Sequence, residues 1–250
     1  MPDSIALVPT MGALHAGHLE LIKRARQLTS SVVLSIFVNP LQFESAEDLA
    51  KYPRDLPGDT EKAISAGATR VWAPQREEIY PGEIIRISAG SVGEIFEGRE
   101  RTGHFDGMLT VVNRLFEIVK PKYALFGEKD FQQLFIVKKW VQDNDIPVEI
   151  ISLPTVRDRD GLALSSRNSR LSSVGRKSAL VINRALRSNG RSEMHQILMA
   201  EPGFTLDYAD IVDEATFELA GHETRAPRGI IAGWVDGVRL IDNMSMRVNQ

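Results

Sequence analysis

Short apolar runs alternate with stretches of helical periodicity through the first three-fifths of the chain. Ile5-Ala6-Leu7-Val8-Pro9 is apolar without a break, and Pro9-Thr10 followed by glycines ends it. It reads as a buried strand entering a tight loop. From Gly17 to about Leu28, the residues Leu19, Ile22, Ala25 and Leu28 fall on one stripe, which predicts a helix. Ser31–Val38 is nearly continuous in β-branched and aromatic residues, as suits a central parallel strand covered on both faces. Thr69–Ala73, Ile84–Ser88, Lys122–Phe126 and Val148–Leu153 are further strand candidates, and helices are expected at Pro57–Ala66, Phe105–Val119 and Lys129–Val141. The helix that starts near His104 carries Leu109, Val112, Leu115, Phe116 and Val119 on one side, and Lys120-Pro121 stops it. Such alternation predicts βαβ units and an α/β fold: a Rossmann-like, doubly wound parallel sheet.

The pattern changes after Pro154. Val156–Asn168 is rich in Arg, Asp and Ser and reads as a long loop. Ser172–Asn189 is expected to be a helix ended by Asn189-Gly190, with a shorter one at Ser192–Met199. Leu206–Val212, Gly229–Val235 and Val238–Ile241 suggest a small antiparallel sheet, the last two joined by the hairpin signal Asp236-Gly237. A boundary near Thr155 therefore divides the chain into residues 1–155, the Rossmann-like domain, and residues 156–250, a smaller C-terminal α+β lid domain.

The segment after the first strand is Met11-Gly12-Ala13-Leu14-His15-Ala16-Gly17-His18. A strand, a Gly-rich loop and a helix N-terminus favour an anion, because backbone N–H groups and the helix dipole act together there. His15 and His18 are three apart and share a helix face. They suit polarisation of a phosphoryl oxygen. A zinc site is the competing reading, but there is no cysteine, and His104, His195 and His222 form no second cluster. Gly127-Glu128-Lys129-Asp130 follows another apolar run. Lys129 offers a mobile charge for phosphates, and Asp130 a helix cap, a ribose contact or a metal contact. Leu164-Ser165-Ser166-Arg167-Asn168 offers hydroxyls and a guanidinium to leaving pyrophosphate. Gln42, in Val38-Asn39-Pro40-Leu41-Gln42-Phe43, ends the second strand, and Gln133 lies one turn into the helix after Lys129. Either amide can bind a hydroxyl or carboxylate without adding charge.

Composition narrows the partners. With 250 residues, 43% hydrophobic and 25% charged, the chain is an ordinary globular sequence. A net charge of -3 gives no electrostatic case for nucleic acid or a membrane surface. The absence of cysteine excludes disulfides and thiol catalysis. No run approaches the ~18 apolar residues of a membrane helix. Ile5–Val8 is too short for a signal-peptide core, so a cytoplasmic protein is expected.

The H-x-G-H pattern resembles the nucleotidyltransferase superfamily, whose members attack the α-phosphate of ATP. Four motifs in order, P-T-M-G-A-L-H-A-G-H, F-V-N-P-L-Q-F, G-E-K-D-F-Q-Q and L-S-S-R-N, resemble the pantoate–β-alanine ligase family over nearly the whole chain. The resemblance implies condensation of pantoate with β-alanine at the expense of ATP, through a pantoyl adenylate, with release of AMP and pyrophosphate. It also implies magnesium and a homodimer. An ATP site is implied at Met11, Gly12, Ala13, Leu14, His15, Ala16, Gly17, His18, Gly127, Glu128, Lys129, Asp130, Val156, Leu164, Ser165, Ser166 and Arg167. Of these, His15, His18, Lys129, Ser165, Ser166 and Arg167 are the catalytic candidates, with His18 as proton donor. Gln42 and Gln133 are implied to bind pantoate, and Met108-Leu109-Thr110-Val111-Val112 to face its methyl groups. Asp59 is a magnesium candidate, with an exposed helical face as its plainer explanation. Family members usually carry a helical segment before the first strand, where this chain starts almost at the strand. That difference is expected to bear on stability more than on chemistry. Other readings are a different H-x-G-H enzyme, such as one resembling phosphopantetheine adenylyltransferase, and an inactive nucleotide-binding regulatory protein. The Q-F, D-F-Q-Q and S-S-R-N elements speak against the first, and the presence of His18 and Lys129 against the second.

Overall fold

The computed structural model describes residues 4–43 and 45–246. The chain runs β1 (Ile5–Thr10), α1 (Ala16–Leu28), β2 (Ser31–Ile36), α2 (Ala46–Lys51), α3 (Leu56–Ala66), β3 (Arg70–Trp72), α4 (Arg76–Ile79), α5 (Glu97–Glu100), α6 (His104–Val119), β4 (Tyr123–Gly127), α7 (Phe131–Asp143) and β5 (Glu149–Leu153). It continues with α8 (Ser173–Leu186), α9 (Arg191–Met199), β6 (Thr205–Asp213), β7 (Pro227–Val235) and β8 (Val238–Ser245). The first five strands form one sheet in the order β3-β2-β1-β4-β5, and every pair in it is parallel. The Rossmann-like sheet expected from the alternating runs is present. Strand order reverses between β1 and β4, which is where open α/β sheets form their ligand crevice.

The chain divides into two compact units, Met1–Gly127 with Gln132–Leu153, and Glu128–Phe131 with Pro154–Gln250. In the first, Val32 and Leu34 of β2 and Ala6 and Val8 of β1 are fully buried. Ile22 and Ala25 of α1 and Ala63 of α3 pack against them. Full burial of one such aliphatic side chain is worth about 1.5–3 kcal/mol, so the sheet is the stable frame for the loops at its carboxyl edge. In the second unit, β6, β7 and β8 form an antiparallel sheet, with α8 and α9 supplying Ile182, Leu186, Met194 and Leu198 to its core. Asp236 and Gly237, both at positive φ (52° and 71°), close the β7–β8 hairpin as their sequence signal requires.

Four expectations are corrected. Ile84–Ser88 is not a strand: Ile87 N donates to Thr110 Oγ1 (2.9 Å) and Ala89 N to Asp106 Oδ1 (2.8 Å). Here α6 side chains take donors that a sheet ladder would have used, and Ile85 is 84% exposed. Val156–Asn168 is not one open loop. Arg157 pairs with Ala163 and Leu164 N donates to Val156 O (2.9 Å), forming a small hairpin, and a 3₁₀ turn follows at Ser166–Arg170. The helix expected from Lys129 starts instead at Phe131, after a 3₁₀ turn over Glu128–Asp130, and α8 ends at Leu186 rather than at Asn189. The helices α2, α4 and α5 span at most two turns, too short for periodicity to mark them.

Candidate active site

The histidine turn sits at the carboxyl end of β1. His15 is the N-cap of α1, where its Nδ1 accepts from Gly17 N (3.2 Å). His18 Nδ1 accepts from His15 N (3.3 Å), a reciprocal capping box built from two imidazoles. The rings lie 4.2 Å apart, centroid to centroid. A ring nitrogen that accepts from an amide carries no proton, so each neutral imidazole carries its proton on Nε2. The turn thus contributes two Nε2–H donors. The backbone amides behave differently from the expectation of open N–H groups. Ala13 and Leu14 donate to the Asp59 carboxylate at 2.7 and 2.8 Å, and Gly12 donates to Thr10 Oγ1 at 3.3 Å. Three amides of the loop are therefore already taken within the protein.

After β2, a 3₁₀ turn at Pro40–Gln42 is built on Asn39, which is 1% exposed. Asn39 Nδ2 donates to Gln42 Oε1 (3.1 Å) and Gly107 O (2.9 Å), while its Oδ1 accepts from Tyr80 Oη (3.0 Å). Burial holds the Tyr80 phenol well above its ordinary pKa, so it remains a donor. Gln42 is buried, and its carbonyl accepts from His104 Nδ1 at 3.1 Å. Gly107 permits the approach of α6, since a Cβ there would stand 2.2 Å from Leu41 O. Gln133 is half-buried and makes no side-chain hydrogen bond among the described residues. Its neighbour Gln132, which sequence reasoning missed, is buried and ties Val92 O and Ile95 O (2.7 Å each) to α7. Met108, Leu109, Val111 and Val112, expected to face the pantoate methyl groups, are each at most 6% exposed and belong to the protein's own core.

In the second unit, the turn Glu128–Lys129–Asp130 is held by its backbone. Asn243 Nδ2 on β8 donates to Glu128 O (2.9 Å) and Lys129 O (2.8 Å). Arg228 of β7 holds Asn243 Oδ1 (2.6 Å) and reaches Glu128 Oε2 (3.3 Å) and Glu214 Oε1 (2.9 Å), with its guanidinium 4.2 Å over the Phe131 ring. Arg228 is buried, and this set of partners satisfies its charge. Lys129, Ser165 and Arg167 line one small cavity, together with Asn168, Arg239 and Asp242. Ser165 caps the following 3₁₀ turn by accepting from Arg167 N (3.2 Å). Arg157, in the segment expected to be a loop, makes a bidentate pair with buried Asp242 (2.6 and 2.9 Å). Sequence reasoning missed Asn39, Gln132, Arg228 and Asn243. Asn39 interrupts an apolar run, whereas Gln132 stands beside another glutamine, Arg228 between Pro227 and Gly229, and Asn243 after Asp242, so nothing in their local sequence marked them.

Asp59 does not fit a protein-held magnesium ion. No three His, Asp or Glu side chains among the described residues gather as metal ligands. Asp59 lies not on an exposed face but at 1% exposure, with both oxygens accepting from amides. Nor, among the described residues, is any helix long and apolar enough to cross a membrane.

A sequence model of the pantoate–β-alanine ligase family matches residues 2–245. The chain belongs to that family, and with it to the ligases. It is 47% identical over 259 residues to the pantothenate synthetase of Acidothermus cellulolyticus, covering 97% of this chain and 86% of that one. The pantothenate synthetase of Moorella thermoacetica is 45% identical, with 98% and 92% covered. The crystal structure of the Thermus thermophilus pantothenate synthetase superposes with a TM-score of 0.90 at 44% identity, over 96% of this chain and 92% of that one. The Francisella tularensis pantoate–β-alanine ligase, solved with β-γ ATP and β-alanine, gives 0.84 at 38% identity, over 97% and 90%.

Proposed function

We propose that this protein condenses pantoate with β-alanine in two half-reactions driven by ATP. In the first, the pantoate carboxylate attacks the α-phosphate, and pyrophosphate leaves. In the second, the β-alanine amine attacks the acyl carbon of pantoyl adenylate, giving pantothenate and AMP. The observation that carries this reading is the paired-imidazole turn at the end of β1, in a chain whose length matches the ligase family almost throughout.

Each residue group has a role that its chemistry supports. The Nε2–H groups of His15 and His18 stabilise charge developing on the α-phosphate, in a geometry set before substrate arrives. Lys129, Ser165, Ser166 and Arg167 take the charge of departing pyrophosphate, with Arg167 supplying a planar fork. The remaining residues of Met11–His18, with Gly127, Glu128, Asp130, Val156 and Leu164, complete the nucleotide site. Gln42 and Gln133 bind pantoate. Magnesium arrives with the nucleotide phosphates as part of the substrate. The protein works in the cytoplasm as a homodimer, by resemblance to its family.

The deciding experiment is ATP–pyrophosphate exchange with pantoate and without β-alanine. Exchange that requires pantoate is the expected result. Exchange that appears only when β-alanine is added would exclude a free-standing adenylate step.

A further inference from the structure

The geometry points to a role for Asp59 other than metal binding: we propose that it is a positioning residue that clamps the histidine turn by its backbone. This rests on the reading of His15 and His18 as groups that face ATP. Gly12 and Ala13 follow one another at positive φ, +88° and +54°. A side-chain-bearing residue keeps that conformation only where its surroundings hold it. Successive N–H groups in such a turn form a concavity for an anion. Here the anion is the protein's own carboxylate: Oδ2 takes Ala13 N at 2.7 Å and Oδ1 takes Leu14 N at 2.8 Å.

The surroundings fit a permanent clamp. Asp59 lies in the first turn of α3, where the helix dipole favours a carboxylate. Lys62, one turn on, brings Nζ to 3.7 Å from Oδ1 and 3.4 Å from Leu14 O, which offsets the buried charge. A Cβ on residue 12 would stand 3.1 Å from Asp59 Oδ2, so the glycine leaves room for the carboxylate as well as the φ. Magnesium needs contacts of about 2.0–2.1 Å and keeps several of its waters. Oxygens that are buried and already occupied by amides leave it no approach. The clamp ends at Leu14, immediately before His15, so it fixes the point from which the imidazole cap starts.

The test compares Asp59→Asn with the wild type. The asparagine keeps the size but loses one acceptor, so one amide is released. A displacement of ~1 Å at a reacting group costs on the order of 10²-fold in rate. We expect kcat for pantoate-dependent ATP–pyrophosphate exchange to fall about 10- to 100-fold, with KM for ATP changing less than about threefold. The magnesium concentration giving half-maximal rate should not move. In nucleotide-free and metal-free protein, amide exchange at Ala13 and Leu14 should quicken while that of Leu7 in β1 does not. A variant restored by excess magnesium, or one with unchanged exchange at both amides, would overturn the proposal. If the variant does not fold, the wild type decides alone, since unprotected Ala13 and Leu14 amides are incompatible with a clamp. Wild-type protein without pantoate-dependent exchange activity would sink the functional reading and leave the amide measurement standing.

Discussion

His15 and His18 serve as each other's scaffold as well as being candidate reactive groups. One ring caps α1, and the other accepts from the capping residue's own amide. Replacing His18 with Ala removes the donor proposed to face the phosphate but leaves the His15 cap in place. Single-turnover formation of pantoyl adenylate should slow by about 10²–10³, the usual cost of one positioned transition-state donor, with little change in ATP affinity. Unchanged single-turnover rates would remove His18 from the chemistry. At this scale the sequence offered candidates by residue type, namely the histidines, Lys129 and the serines with Arg167. It could not show Asp59 or Asn39 as hubs. Asp59 meets Ala13 from 46 positions away, and Asn39 meets Gly107 from 68. Only the fold brings those partners together.

Among the elements, α6 determines the floor beneath the β2 loop. It touches the Pro40–Gln42 turn closely enough that only glycine fits at position 107. A methyl group there meets a backbone carbonyl, which cannot swing aside like a flexible side chain. Gly107→Ala should therefore destabilise the protein by about 1–3 kcal/mol, the range for overpacking, and displace Gln42 with the turn. Urea unfolding gives the first quantity and KM for pantoate the second. A variant with wild-type values in both would show that the contact relaxes without cost. The long elements were legible because burial writes a pattern into the sequence: β2 is buried through Val32–Ser35 and reads as a nearly continuous apolar run broken only by Ser35. Ile84–Ser88 misled because its apolar, β-branched residues accompany docking on α6 through Thr110 and Asp106, not pairing with a strand.

For the whole molecule, the acid response should come from the C-terminal unit. Burial raises the Asp158 pKa, but hydrogen bonds from Arg176 and from the amides of Leu162 and Asp160 outweigh it, so the carboxyl lies below its ordinary value. Hydrogen bonds from Ser172 lower Asp236 in the same direction. A carboxylate depressed on folding stabilises the protein above its unfolded pKa of about 3.9, and that contribution is lost as pH falls through the folded value. Melting temperature should therefore decline below pH of about 4. Asp158→Asn should melt lower at neutral pH and show a shallower decline; an equally steep decline would exclude Asp158 as a source. The α/β architecture and the small antiparallel sheet were both legible in the alternation of runs. The sequence did not show that Glu128–Phe131 clusters with residues 154–250, because a four-residue turn carries no period of its own.

That discontinuity limits how the C-terminal half can be inherited. A crossover at residue 153 that exchanges everything downstream with a relative would bring in a new Asn243 and Arg228. The old Glu128–Phe131 turn, encoded upstream, would stay with the recipient. Such a hybrid can look conservative in every aligned position on either side of the junction and still hold Lys129 by a carbonyl its new partner was not selected to grip. Natural or laboratory recombinants in this family should therefore survive when the turn travels with its strands, as a pair of blocks and not as one.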